Sequence, residues 1–92
     1  MEEKVLTRHP RGKRGVNISK AKYDTMKKAL LQILEEGPLT HHELTHAVEK
    51  KLNGKFEGSI PWYMEGTKLD LEARGIIERA PGEKHEVYRL KR

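Results

Sequence analysis

Apolar positions in this chain recur at helical spacing in three separate stretches and alternate in a fourth. Tyr23, Met26, Leu30, Ile33 and Leu34 form one stripe and predict a helix over 20–36, with Ser19 as its cap and Ile18 placed to staple onto Tyr23. Gly37-Pro38 stops it. Leu44, Val48 and Leu52, with Ala47 beside them, predict a second helix ending at Asn53-Gly54. Its start, Thr40-His41-His42-Glu43, has the form of a capping box, and Leu39 can staple onto Leu44. Ile60, Met64, Thr67 and Leu71 mark a third helix, with Ser59 as cap, Pro61 in the first turn and Gly75 as the stop. Ile76 and Ile77 then begin an extended run. Residues 80–84 form a turn, and residues 85–90 return as a strand with Val87 and Tyr88 on opposite sides.

Residues 55–58 read as a linker with Phe56 tucked into the core edge. Residues 1–18 lack helical periodicity. Arg8-His9-Pro10-Arg11-Gly12-Lys13-Arg14-Gly15 mixes cations with chain breakers, so it is expected to be a flexible basic arm ahead of a domain over 19–92. Such a segment can follow a phosphate backbone or enter a minor groove.

The run Leu71-Glu72-Ala73-Arg74-Gly75-Ile76-Ile77-Glu78 resembles the junction between the third helix and the wing of winged helix-turn-helix domains. The resemblance extends back to about Ser19. It implies an α+β, mainly α, fold: three helices and a C-terminal wing of two or three strands, with Leu39 as a short strand pairing with the wing hairpin. The basic arm, the helix start Lys20-Ala21-Lys22-Tyr23-Asp24, and Trp62-Tyr63 followed by Lys68 to Gly75 are similar to a family of small uncharacterised bacterial proteins. That second likeness implies no activity.

Charge changes the picture more than composition does. The net charge is +5 over 92 residues. Residues 1–28 hold nine basic groups against Glu2, Glu3 and Asp24, so the remainder is close to neutral. A cationic front on a neutral body suits a polyanionic partner. Lys20 and Lys22 extend this patch although they sit at the positive end of a helix dipole, a local rule broken. The absence of Cys excludes disulfides and thiolate metal sites. No apolar run is long enough for a membrane span and no signal-like segment follows Met1, so a cytoplasmic location is expected.

His42-Glu43-Leu44-Thr45-His46 matches the H-E-x-x-H pattern of zinc proteases. Here Glu43 is already engaged as the partner of Thr40. Burial of Leu44 and Val48 would turn His42 and His46 towards water, at about 100° per residue. A solvated capping turn is therefore the better reading, and no metal, cofactor or enzymatic activity is expected. Ser19 and Ser59, the only serines, are both caps.

The outward positions of the third helix are Trp62, Tyr63, Gly66 and Leu69, flanked by Glu65, Lys68 and Asp70. They lack the Arg, Asn and Gln that read base edges. Trp62, Tyr63 and Leu69 instead form an apolar stripe. It could be covered by the arm through Val16 and Ile18, dock a protein, or stack on single-stranded bases. The leading expectation is a winged-helix protein that binds double-stranded DNA with low sequence specificity. Arg8, Arg11, Lys13, Arg14, Lys20, Lys22, Tyr63, Lys68 and Lys84 would make the contacts. Arg79, Arg89, Lys91 and Arg92 could add phosphate contacts or form a solvated face. The competing expectation is an interaction module, a homodimer or adaptor, anchored by Trp62, Tyr63 and Leu69.

Overall fold

Ser19, Thr40 and Ser59 each open a helix in the computed structural model, which describes residues 3–91. Their hydroxyls accept the backbone N–H groups of Lys22 (3.4 Å), Glu43 (3.2 Å) and Trp62 (3.3 Å), which have no partner inside the helix. The helices are α1 (Lys20–Leu34), α2 (His41–Leu52) and α3 (Ile60–Ala73). At the second start the Thr40 N–H also donates to Glu43 Oε1 at 2.9 Å, completing the capping box. α1 ends at Leu34 rather than at Glu36, where the chain turns into Gly37 at φ 144°.

The strands are β1 (Lys4–Leu6), β2 (Asn17–Ser19), β3 (Leu39–Thr40), β4 (Ile77–Ala80) and β5 (Val87–Leu90). They form two antiparallel sheets, β1-β2 and β3-β5-β4. In the second, Ile77 opposes Leu90, Arg79 opposes Tyr88, and Leu39 also opposes Tyr88 from the other side. The architecture is α+β, with three helices and two small antiparallel sheets.

The core lies between the three helices and the inner face of the larger sheet. Met26, Leu30 and Leu34 of α1 meet Leu44, Val48 and Leu52 of α2 and Met64 and Leu71 of α3, closed by Ile77 and Tyr88. Each such side chain contributes about 1.5–3 kcal/mol of transfer free energy. Ala29 joins this face, while Ile33 is only partly buried. Phe56 packs against the core edge from the linker.

Residues 4–6 pair with residues 17–19 where the sequence suggests a flexible arm, and the expected boundary at residue 18 falls inside β2. Lys4 opposes Ser19, Val5 opposes Ile18 and Leu6 opposes Asn17. Gly and Pro bar a helix here but leave strand pairing open, and Ile18 is buried. The hairpin is drawn tight at its neck. Thr7 N–H donates to the Val16 carbonyl and Val16 N–H to Thr7 Oγ1, both at 2.9 Å. Gly15 lies so close to Thr7 that a Cβ there would fall 1.7 Å from its carbonyl oxygen. Met1, Glu2 and Arg92 lie outside the described residues, so the expected phosphate contact of Arg92 does too. Among the described residues no helix is long and apolar enough to cross a membrane.

Candidate functional site

α3 is gripped from two sides, and this arrangement places the functional candidates. On one side stands the hairpin. Arg8 N–H donates to Asp70 Oδ1 at 2.8 Å, the Tyr23 hydroxyl donates to Asp70 Oδ2, and Arg74 Nε donates to the same oxygen at 2.8 Å. Asp70 is fully buried. Three donors from three elements offset the cost of desolvating its charge. Burial, followed by the bond to Asp70, pushes the Tyr23 phenol up to about 12. The same carboxylate raises the Arg74 guanidinium above its ordinary value.

On the other side stands the larger sheet. The Lys68 ammonium lies 4.2 Å above the Tyr88 ring, 2.7 Å from His41 Nδ1 and 3.2 Å from Glu65 Oε1. Its side chain is 2% exposed. Burial, and then the Lys68 charge, lower the His41 imidazole below its usual value. The neutral ring therefore accepts from Lys68 at Nδ1, which places its own proton on Nε2, 3.6 Å from Glu65 Oε2. Arg79 is bound by Glu72 at 2.9 and 3.0 Å, and Arg89 by Glu78 at 2.7 Å.

Two sequence expectations change here. Lys68 is not a surface cation: it is buried and occupied by its neighbours, so it is removed from the set of phosphate contacts. Asp70 is not a flanking surface carboxylate. The other members of the set divide. Arg8, Arg11, Lys13 and Arg14 are all exposed on the hairpin loop, and none forms an ion pair among the described residues. They surround a concavity of ≈ 560 Å³ that also meets Ala73 of α3. Lys20 is tied to Asp24 at 2.8 Å, which raises its ammonium above the ordinary value. Lys22 points over the Tyr63 ring at 5.0 Å. The two lysines at the positive end of α1 thus have local partners. Lys84 is exposed in the turn between β4 and β5, without an ion-pair partner among the described residues.

Trp62 is 50% exposed, whereas Tyr63 and Leu69 are partly buried. Tyr63 is held edge-on by Phe56, with ring centroids 5.2 Å apart, and meets Trp62 at 4.8 Å with planes 82° apart. Val16 reaches over Gly66, where a Cβ would sit 3.7 Å from its Cγ2, so the hairpin covers one flank of the stripe and leaves Trp62 open. His42 and His46 are exposed, and Glu43 is held below the usual carboxylate range by its bonds to Thr40. Among the described residues no cluster of three or more potential ligands could hold a metal ion. A groove of ≈ 630 Å³ between the ends of α1 and α2 is lined by Ile33, Pro38, Leu39 and Ala47 with Lys50 and Lys51 at its rim; it gathers no catalytic pairing.

The polar roles of Asp70, Tyr23 and His41 escaped the sequence reading, which placed Tyr23 in the buried stripe of the first helix and Asp70 on an outer flank of the third. The i,i+4 relation of Asp70 to Arg74 was the one local signal for Asp70. Nothing local points to the Arg8 amide or to the face of Tyr88.

These elements define a small α+β domain whose cationic hairpin is clasped to its third helix. The chain belongs to a family of unknown function, DUF6958, whose model matches residues 4–88. No curated protein shows a significant match to it.

Proposed function

We propose that this protein is a bacterial, cytoplasmic winged-helix protein that binds DNA with low sequence specificity. The order α1-β3-α2-α3-β4-β5, with β3 pairing β5, is the order a winged helix requires, and it supports that reading. The observation that carries the function is the clustering of unpaired cations on one loop. On the body, Lys20, Arg74, Arg79 and Arg89 face carboxylates and Lys68 is buried beside one, while Lys28, Lys50, Lys51, Lys55 and Lys84 are exposed without an ion pair among the described residues but are spread over separate elements. On the loop between Thr7 and Val16, Arg8, Arg11, Lys13 and Arg14 face solvent with no acidic residue among them. Such a patch is the electrostatic footprint of a phosphate backbone.

Low specificity follows from α3. Its outer strip is Trp62, Gly66, Leu69 and Ala73, with no side chain suited to base edges. The acidic groups that would repel phosphate are already matched: Asp70 by Arg74, Glu65 by Lys68 and Glu72 by Arg79. Lys22 and Lys84 would add phosphate contacts. A protein interface on Trp62 and Leu69 is the competing use, favoured by the exposure of Trp62.

Fluorescence anisotropy with a short blunt duplex over a salt series tests this. Six phosphate contacts, the four of the loop with Lys22 and Lys84, predict a slope of about −5.4 in log K against log salt, of which the loop supplies about −3.6. The variant Arg8→Gln/Arg11→Gln/Lys13→Gln/Arg14→Gln should flatten that slope and weaken binding. Equal binding by the variant, or no salt dependence, refutes the reading. Concentration-dependent dimerisation without DNA would favour the interface instead.

A further inference from the structure

We propose that the corner formed by Trp62, Tyr63 and Lys22 is a stacking platform for an unpaired base, so that the preferred ligand carries a single-stranded segment. This rests on the nucleic-acid reading above and names the form of its ligand.

Trp62 leaves half of its surface in water on a helix that is otherwise gripped on both flanks. Its position is fixed nonetheless. Tyr63 meets it nearly at right angles, and Phe56 fixes Tyr63 in turn. The turn at Gly58 passes against Tyr63 so closely that a Cβ there would lie 2.9 Å from Cε2. The result is an indole braced by Tyr63 with half of its surface open to solvent.

The charge beside it selects the occupant. Lys22 holds its ammonium 5.0 Å from the centre of the Tyr63 ring, with no carboxylate in ion-pair range among the described residues. An aromatic surface next to an unneutralised cation matches a base followed by its phosphate, and every base offers a π-face. A purely apolar protein partner has no use for that cation. From Trp62 the outer strip of α3 runs past Gly66 and Leu69 to Ala73, which borders the basic loop. Those eleven steps span about 16 Å at the helical rise. A strand whose base rests on Trp62 can therefore lead its phosphates towards Arg8 and Arg14. The base must be unpaired, because drawing one out of a duplex costs a few kcal/mol, comparable to the ~1–3 kcal/mol that stacking returns.

The experiment uses the full chain, its sole Trp as reporter, and two probes: a short oligothymidylate and a blunt duplex. The single strand should quench Trp62 emission more than the duplex does. Trp62→Ala should weaken single-strand binding about tenfold and leave duplex binding within about twofold, while Trp62→Phe restores part of the loss. Single-strand binding with unquenched Trp62, or equal quenching by the duplex, overturns the platform and leaves the basic-loop reading standing. Absence of binding to either probe overturns both. Quenching is read on the unmutated chain, so the outcome does not depend on the stability of the alanine variant.

Discussion

Arg8 and Asp70 stand 62 residues apart in sequence, yet the backbone N–H of the first donates to the carboxylate of the second at 2.8 Å. The bond joins the neck of the cationic loop to the inner side of α3. It is shared with Tyr23 and Arg74, so one buried carboxylate couples the hairpin, α1 and α3.

Asp70→Asn should therefore loosen the hairpin as well as the helix. The amide keeps its shape but loses the charge that Arg74 and the two other donors address. A destabilisation of about 2 kcal/mol is expected, below the scale for a fully enclosed ion pair because Arg74 is 34% exposed. Hydrogen exchange at the Arg8 amide should accelerate by more than the global loss explains. Unchanged protection there would show that the hairpin is held by other contacts.

Tyr23 predicts an alkaline limit. Its phenol is raised from 10.0 to about 12 in the fold, so the unfolded chain gives up this proton first as pH rises. The stabilisation is fully present below about pH 10 and is lost progressively towards pH 12. At full titration the difference is about 2–3 kcal/mol in scale. Denaturant melts of the protein and of Tyr23→Phe should converge in slope at neutral pH and diverge above pH 10, the variant losing less. Parallel curves would mean that the phenol is not restrained by Asp70.

Lys68 gives a contrast between two substitutions. Lys68→Met fills the same space without a charge, and its partners His41 and Glu65 are about half exposed, so water replaces the lost bonds. Stability should move by no more than about 1 kcal/mol. Lys68→Ala leaves a void beneath Tyr88 and should cost about 2–4 kcal/mol. Neither should alter the salt slope of the proposed DNA binding, measured where both variants are folded. A reduced slope would return Lys68 to the contact set.

His41 adds an acid-side effect. Its imidazole is lowered from 6.5, so the unfolded chain takes up the proton first as pH falls. The contribution is present above about pH 6.5 and lost as pH drops through the folded value. His41→Gln should remove that part of the profile. Nitrogen NMR of the protein at pH 7.5 should show the proton on Nε2; a proton on Nδ1 would exclude the Lys68 bond.

The helices were legible because their signals are local. Ser19, Thr40 and Ser59 announce the starts, and Met26, Leu44 and Met64 each belong to a stripe that a single turn reveals. The pairing of Leu39 with Tyr88 was also within reach, through the likeness of the wing junction. The hairpin was not. Thr7 and Val16 meet across a loop of cations with no two-residue turn signature, and Ile18 looks like a staple rather than a strand. Lys68 and Asp70 misled for a related reason. Periodicity assigns one buried face to a helix, but α3 is also covered on both flanks by segments far away in sequence, and their charges were read as solvated.

Gly15 reads as a chain breaker in the sequence, but its contact with Thr7 makes it a clasp. With the neck closed, residues 8–15 surrender their chain entropy when the protein folds rather than when it meets a polyanion. The spacing of Arg8, Arg11, Lys13 and Arg14 is then a property of the fold, in the way a comb fixes its teeth. Any side chain at Gly15 would force the neck open and return these cations to independent motion, with the net charge of the protein unaltered.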